Sequence, residues 1–265
     1  MSQSQDLSIA QGAFADACSR RRVLLADMAR VQARYVLRLG AESGRPPAEL
    51  IAAQTPWRGR LRDPAADWPP FLERAAAILA GAGSEETRAE RLAAFADPFF
   101  ADAIPPALRA EAELTWFGDF RYTEDRNAGA IALHIANRGG SGAGFSDRGA
   151  CFAQLRLLCA DARRRTSAVA KVVCGSWLND RDDFLALFPP SYRQSLGTSS
   201  PDDKTGWGWW GQLVNREGRL HARRAARLLA SGDFPHPRLV GECRFDEFQA
   251  HVEAGGTSGG DVARK

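Results

Sequence analysis

The sequence predicts an α+β protein, a helical N-terminal third packed on a mixed β-sheet with flanking helices. Three observations point there. Apolar residues recur three or four apart through the first part of the chain, the period falls to two from Leu114, and strand-like and helix-like segments then alternate. With 265 residues, 45% of them hydrophobic, the chain can bury a large core, which excludes a disordered polymer. The expected organisation is a helical region over 1–112, a mixed α/β domain over 113–254 and a disordered tail over 255–265, where Gly255-Gly256-Thr257-Ser258-Gly259-Gly260 offers nothing to a core.

Residues 7–39 place Leu24, Met28, Val31, Tyr35 and Leu39 on one face of an amphipathic helix that Gly40, Gly44 and Pro46-Pro47 stop. A short helix over 48–54 follows, then irregular chain as far as Trp68-Pro69-Pro70. Helices are expected from Phe71 to Leu79 and from Ser84, an N-cap ahead of Glu85 and Glu86, to near Pro98. Alternation from Leu114 to Tyr122 reads as a strand, and a turn at 125–129 leads to a second strand through Ile131, Leu133 and Ile135, the two forming an antiparallel hairpin. Phe152, Leu155, Leu158 and Cys159 then mark a helix ending at Arg163-Arg164-Arg165, and residues 168–177 a buried strand. Asn179-Asp180 caps a helix that Pro189-Pro190 closes, and 197–206 is a polar loop. Residues 207–214 read as a strand, Gly218 opens a helix to Ala230, Leu239–Phe245 is the last strand, and Asp246–Glu253 a short helix.

The 35 basic residues nearly balance the 32 acidic ones, so bulk attraction to nucleic acid or an anionic membrane is not expected and any anion site must be local. No apolar run of about 18 residues is present to span a bilayer, and Met1 to Gln11 lacks the layout of a secretory signal; a cytoplasmic location is expected. Five cysteines without a CxxC pair read as reduced thiols packed in the core. The four histidines are scattered, and Glu247 with His251 is ordinary helix-surface spacing, so no metal site is expected.

The segment with most chemical content is Arg138-Gly139-Gly140-Ser141-Gly142-Ala143-Gly144, which joins the second strand to a helix. Glycines let backbone approach a ligand, and a helix N-terminus presents unpaired N–H groups to an anion. The segment is thus either a phosphate cradle or a tight β-to-α connection, since both need glycine.

From Leu114 onward the order strand, strand, glycine turn, helix, strand, Asn, helix resembles a GNAT-type N-acyltransferase over residues 113–188. The family's Arg/Gln-x-x-Gly-x-Gly/Ala turn matches Arg138 to Gly144, with Ser141 where the first glycine of the strict pattern belongs. The resemblance implies acyl transfer from acetyl-coenzyme A, or a related acyl thioester, to a small-molecule or peptide amine. It implies that Arg138, Gly139, Gly140, Ser141, Gly142, Ala143 and Gly144 hold the diphosphate with Arg148, and that Asn179, at the end of the next strand, also contacts the cofactor. A general base must take the amine proton; His134 is the first candidate, with Glu124 and Asp119 on the neighbouring strand behind it. The family's general-acid tyrosine has no counterpart over 180–188, and Tyr192 beyond the double proline is the one available.

Two rival readings stand beside this one. Trp207, Trp209 and Trp210, with Arg216, Arg219, Arg223 and Arg227 on one helical face, would form a recognition surface in a non-enzymatic binding module. The same phosphate cradle would also serve a nucleotide-dependent transferase.

Overall fold

The computed structural model describes residues 3–125, 127–136, 144–166, 169–200 and 203–255. In chain order it contains helices α1 (Gln3–Ser43), α2 (Pro47–Gln54), α3 (Pro64–Ala80) and α4 (Glu85–Glu113), then strands β1 (Phe120–Asp125) and β2 (Ala130–Ile135). Helix α5 (Arg148–Arg165), strand β3 (Lys171–Ser176), short helices α6 (Asp182–Leu185) and α7 (Pro190–Gln194), and strand β4 (Gly197–Thr198) follow. The chain ends with helices α8 (Trp207–Trp210) and α9 (Ala222–Ser231), strand β5 (Leu239–Arg244) and helix α10 (Phe245–Gly255). These elements form two compact units, Met1–Leu114 with Asp202–Pro235, and Thr115–Pro201 with His236–Lys265. The stretch 202–235, which the sequence assigns to the sheet domain, therefore belongs with the N-terminal helices. Beyond Gly255, the tail expected to be disordered lies outside the described residues.

In the helical unit α1 is buried on two faces. Leu25, Ala29, Ala33 and Val36 join α2, α3 and α4 in one core around Trp57, Phe71 and Leu92. The face foreseen from the sequence, Leu24, Met28, Val31 and Tyr35, enters a second core with Trp209, Trp210, Leu213 and Leu228. Both tryptophans therefore anchor packing, Trp210 at 0% exposure and edge-on to Tyr35. The strand expected over 207–214 is instead α8 and a 3-10 turn, Gly211–Leu213. Burying three large side chains on one side of α1 overrides the β propensity of a tryptophan run.

Proline misled the boundaries in this unit. Helix α3 starts at Pro64, where a missing N–H costs nothing, with Asp63 accepting from the N–H groups of Ala65 and Ala66. It continues through Pro69 and Pro70 instead of starting at Phe71. Helix α4 runs through Pro98, Pro105 and Pro106 to Glu113, beyond the stop expected near Pro98. An interior proline costs roughly 3 kcal/mol, and burial of Phe100 and Ile104 beyond Pro98, at about 1.5–3 kcal/mol each, offsets it.

The second unit is built on a five-stranded mixed sheet in the order β1-β2-β3-β5-β4. Strands β1 and β2 form the expected antiparallel hairpin, its turn closed by Gly129 at φ 59°. The alternation beginning at Leu114 is a strand only from Phe120. Before it, Phe117 and Phe120 exchange backbone hydrogen bonds across a tight turn whose Gly118 has φ 63°. A side chain at Gly118 would also strike the Gln154 amide, whose Oε1 accepts the Asp119 N–H. Helix α5 crosses over so that β3 lies parallel to β2, and β5 pairs antiparallel with β3. Phe152, Leu155 and Leu158 of α5, and Phe248 and Val252 of α10, cover one face of the sheet. Helix α7, unexpected because Pro189-Pro190 reads as a helix terminus, begins on that pair with Pro190 in its first turn. It carries Tyr192 onto Gly241 of β5, where an added Cβ would come within 2.5 Å of the ring. No helix among the described residues is long and apolar enough to cross a membrane.

Candidate functional site

Strands β2 and β3 are each six residues long but pair only at Ala130–Lys171, Ile131–Val172 and Ala132–Val173. Past that point β2 stays paired with β1 as far as Ile135, and β3 with β5 as far as Ser176. The two parallel strands thus part toward their carboxyl ends, opening a wedge whose backbone edges have no neighbouring strand among the described residues. In open α/β sheets the carboxyl ends of parallel strands are where ligands bind, and unpaired strand edges accept extended polar ligands. Sequence reasoning missed this wedge, because pairing between strands some 40 residues apart leaves no local pattern.

Several predicted site residues converge at that end. Asp119 accepts the Ala136 N–H at its backbone carbonyl, placing the start of β1 beside the end of β2. Residues 137–143, the greater part of the glycine segment, lie outside the described residues, so the positions of Arg138, Gly139, Gly140, Ser141, Gly142 and Ala143 are not described. The chain resumes at Gly144 in a 3-10 turn, Gly144–Ser146, whose Phe145 ring packs on Phe184 of α6 at 4.9 Å and on Phe120 of β1 at 6.3 Å. Arg148 is the first residue of α5. The cap ahead of it is Asp147, whose Oδ1 accepts the Ala150 N–H at 2.9 Å. One amide of the first turn is therefore consumed and a negative charge already sits at the helix dipole's positive end.

His134 sits directly opposite Arg121 on the face away from α5, half-buried, its Nε2 2.9 Å from Thr123 Oγ1. Burial, reinforced by the Arg121 charge, lowers its pKa to about 4, so the imidazole is neutral at physiological pH and a weak base. Glu124 pairs with Ile131 near the other end of the hairpin and belongs to the opposite face by strand alternation, so it does not join His134.

Asn179 and Tyr192 are both at the end of β3 but turn inward, at 1% and 0% exposure. The Asn179 amide donates to the carbonyls of Cys174 and Leu239, each at 2.9 Å, and its Oδ1 lies 3.0 Å from the Tyr192 hydroxyl. That hydroxyl is also 3.2 Å from the Cys174 carbonyl, and the ring stacks on Phe188 at 4.0 Å. Burial drives the Tyr192 pKa well above its ordinary value. The pair is a clasp tying β3 to β5, and both groups spend their hydrogen bonds on the chain, in place of the cofactor contact and acid role expected of them.

A second imidazole, unforeseen in the sequence, lies at the same end. His236, just ahead of β5, has Nδ1 2.9 Å from Asp180 Oδ2, and its ring lies 5.5 Å from Trp177. A carboxylate on one ring nitrogen orients the imidazole and selects its tautomer. Residues 56 apart in sequence gave no signal for this pair. Close by, the Arg238 guanidinium covers Gly175 of β3 so tightly that a Cβ there would stand 2.4 Å away.

Other constellations resolve differently. Burial pushes the thiol pKa of Cys151 up to about 11 and those of Cys159, Cys174 and Cys243 up to about 12, leaving four inert core thiols. Trp209 and Trp210 are core residues and do not form a surface, and Arg216 and Arg219 precede α9, which starts at Ala222, so the arginines do not share one helical face. No group of three His, Cys, Asp or Glu side chains able to hold a metal occurs among the described residues. No protein-family model, curated protein or solved structure matches the chain.

Proposed function

We propose that the sheet unit is an N-acyltransferase that moves an acyl group from acetyl-coenzyme A or a related acyl thioester to an amine. The observation that carries this reading is the wedge between β2 and β3, opening beside a strand–glycine–helix connection. An acyl thioester supplies an activated carbonyl and a long arm punctuated by amides. The unpaired edges past Ala132 and Val173 suit such an arm, and Arg138–Gly144 with Arg148 would hold its diphosphate. The acceptor amine must lose a proton as the new amide forms. Among the described residues, His134, neutral at physiological pH, and His236, oriented by Asp180, are the imidazoles at this end proposed to take it.

The reading is tested by thermal unfolding of the full chain with coenzyme A, with ATP and without ligand, together with release of free thiol from acetyl-coenzyme A in the presence of polyamines and peptide amines. Coenzyme A at about 100 Kd should add close to 2.7 kcal/mol of stability, and ATP should add less. Stabilisation by ATP alone would replace this reading with a nucleotide-dependent transferase. Alanine at the catalytic imidazole should cut kcat by about 10²-fold while sparing coenzyme A binding. His134→Ala and His236→Ala, measured side by side, identify which one serves.

A further inference from the structure

The helical unit contains a cavity of about 280 Å³ that plays no part in the reading above. Leu25, Phe100, Ile104 and Leu108 give it an apolar wall, while Arg21, Arg60, Arg62 and Glu111 are its charged lining residues. Three guanidiniums against one carboxylate leave an excess of two positive charges. Glu111 is already engaged by Arg21, Nη2 to Oε2 at 3.1 Å. Arg60 has no carboxylate partner among the described residues. Its guanidinium lies over the Trp207 ring at 4.2 Å, a placement that orients the cation without neutralising it.

A desolvated cation without a counter-ion is costly. Burial and the neighbouring Arg21 charge lower the Arg60 pKa to about 10, and Glu111, already engaged by Arg21, offsets this only in part. Removing that cost takes an anion, and the aliphatic wall beside it selects an anion with an apolar tail. The volume lies at the small end of ligand sites, which favours one short chain over a two-chain lipid. We propose that this cavity binds a medium-chain monocarboxylate, its head held by Arg60 beside Arg21 and its tail against Leu25, Phe100, Ile104 and Leu108.

The test is calorimetric titration of the full chain with octanoate, octanol and acetate. Octanoate should bind at least roughly tenfold more tightly than octanol, which lacks the charge, or acetate, which lacks the tail. Arg60→Gln should weaken octanoate by roughly tenfold or more, leave octanol unchanged, and raise the melting temperature of the ligand-free protein by removing an uncompensated charge. Ile104→Trp, which fills the cavity and keeps Arg60, should abolish octanoate binding, and this variant carries the test if Arg60→Gln does not fold. Equal affinity for octanoate and octanol, or unchanged octanoate affinity in Ile104→Trp, would overturn the proposal. Because the cavity lies wholly within the helical unit, these outcomes are separate from coenzyme A binding by the sheet unit.

Discussion

Helix α1 is tied to α4 by a line of surface ion pairs beside their shared core, whereas the end of β3 is tied to β5 by the hydrogen bonds of a buried side chain, Asn179. Arg21–Glu111, Arg22–Asp97, Arg30–Glu90 and Arg34–Glu85 run in opposite directions along α1 and α4, fixing two antiparallel helices in register. Asn179 and Tyr192 do the corresponding work in the sheet unit, at the end of β3. The two arrangements carry very different penalties when broken. An exposed pair, once cut, leaves each charge to water, while a buried amide, once removed, leaves its buried partners one hydrogen bond short with no water to replace it.

The largest effect should come from Asn179→Ala. It strips the Cys174 and Leu239 carbonyls of a donor and the Tyr192 hydroxyl of a partner, and should cost about 4 kcal/mol in urea unfolding. A loss below about 1 kcal/mol would mean that the clasp is no more valuable than a surface pair.

His134 sharpens the contrast through pH. Its folded pKa of about 4 lies below the ordinary 6.5, so between those values the unfolded chain takes up a proton that the folded chain refuses. Stability contributed by the neutral ring is complete above about pH 6.5 and falls as the pH drops toward 4, by about 2–3 kcal/mol. His134→Gln should flatten that window in a series of urea melts; an identical slope in both proteins would show that the ring is not desolvated.

The smallest effect is expected at Arg30, which reaches Glu90 at 2.8 Å and Asp27 at 3.0 Å from an exposed position. Arg30→Ala should cost about 0.5 kcal/mol, and roughly 0.5 M salt should erase the difference. A loss comparable with that of Asn179→Ala would remove the distinction between the two units.

Features set by local chemistry were legible in the sequence. The turn at Asn127–Gly129, the alternating Ile131, Leu133 and Ile135, the Ser84 cap and the Arg163–Arg165 terminus all fall where neighbouring residues place them. The reading failed where distant chain decides. Trp209 and Trp210 resemble an aromatic recognition surface until α1 offers them Tyr35, and Pro98 stops a helix only when no core lies beyond it. At the candidate site the strand–glycine–helix order was readable, because it is consecutive in sequence. The wedge and the His236–Asp180 pair were not, because each depends on which strands become neighbours.

The second core of α1 also bears on how the protein is made. Arg38 of α1 donates to the Leu229 carbonyl across 191 positions, so the partners of Tyr35 and Met28 leave the ribosome long after α1 does. At ordinary translation rates the delay is roughly 10–40 s, during which the nascent helix carries an oily strip with no mate. Any stall or truncation before residue 202 leaves that strip permanently bare, which makes this helix the natural place for a chaperone to hold the growing chain and the first to drive clumping when synthesis stops early.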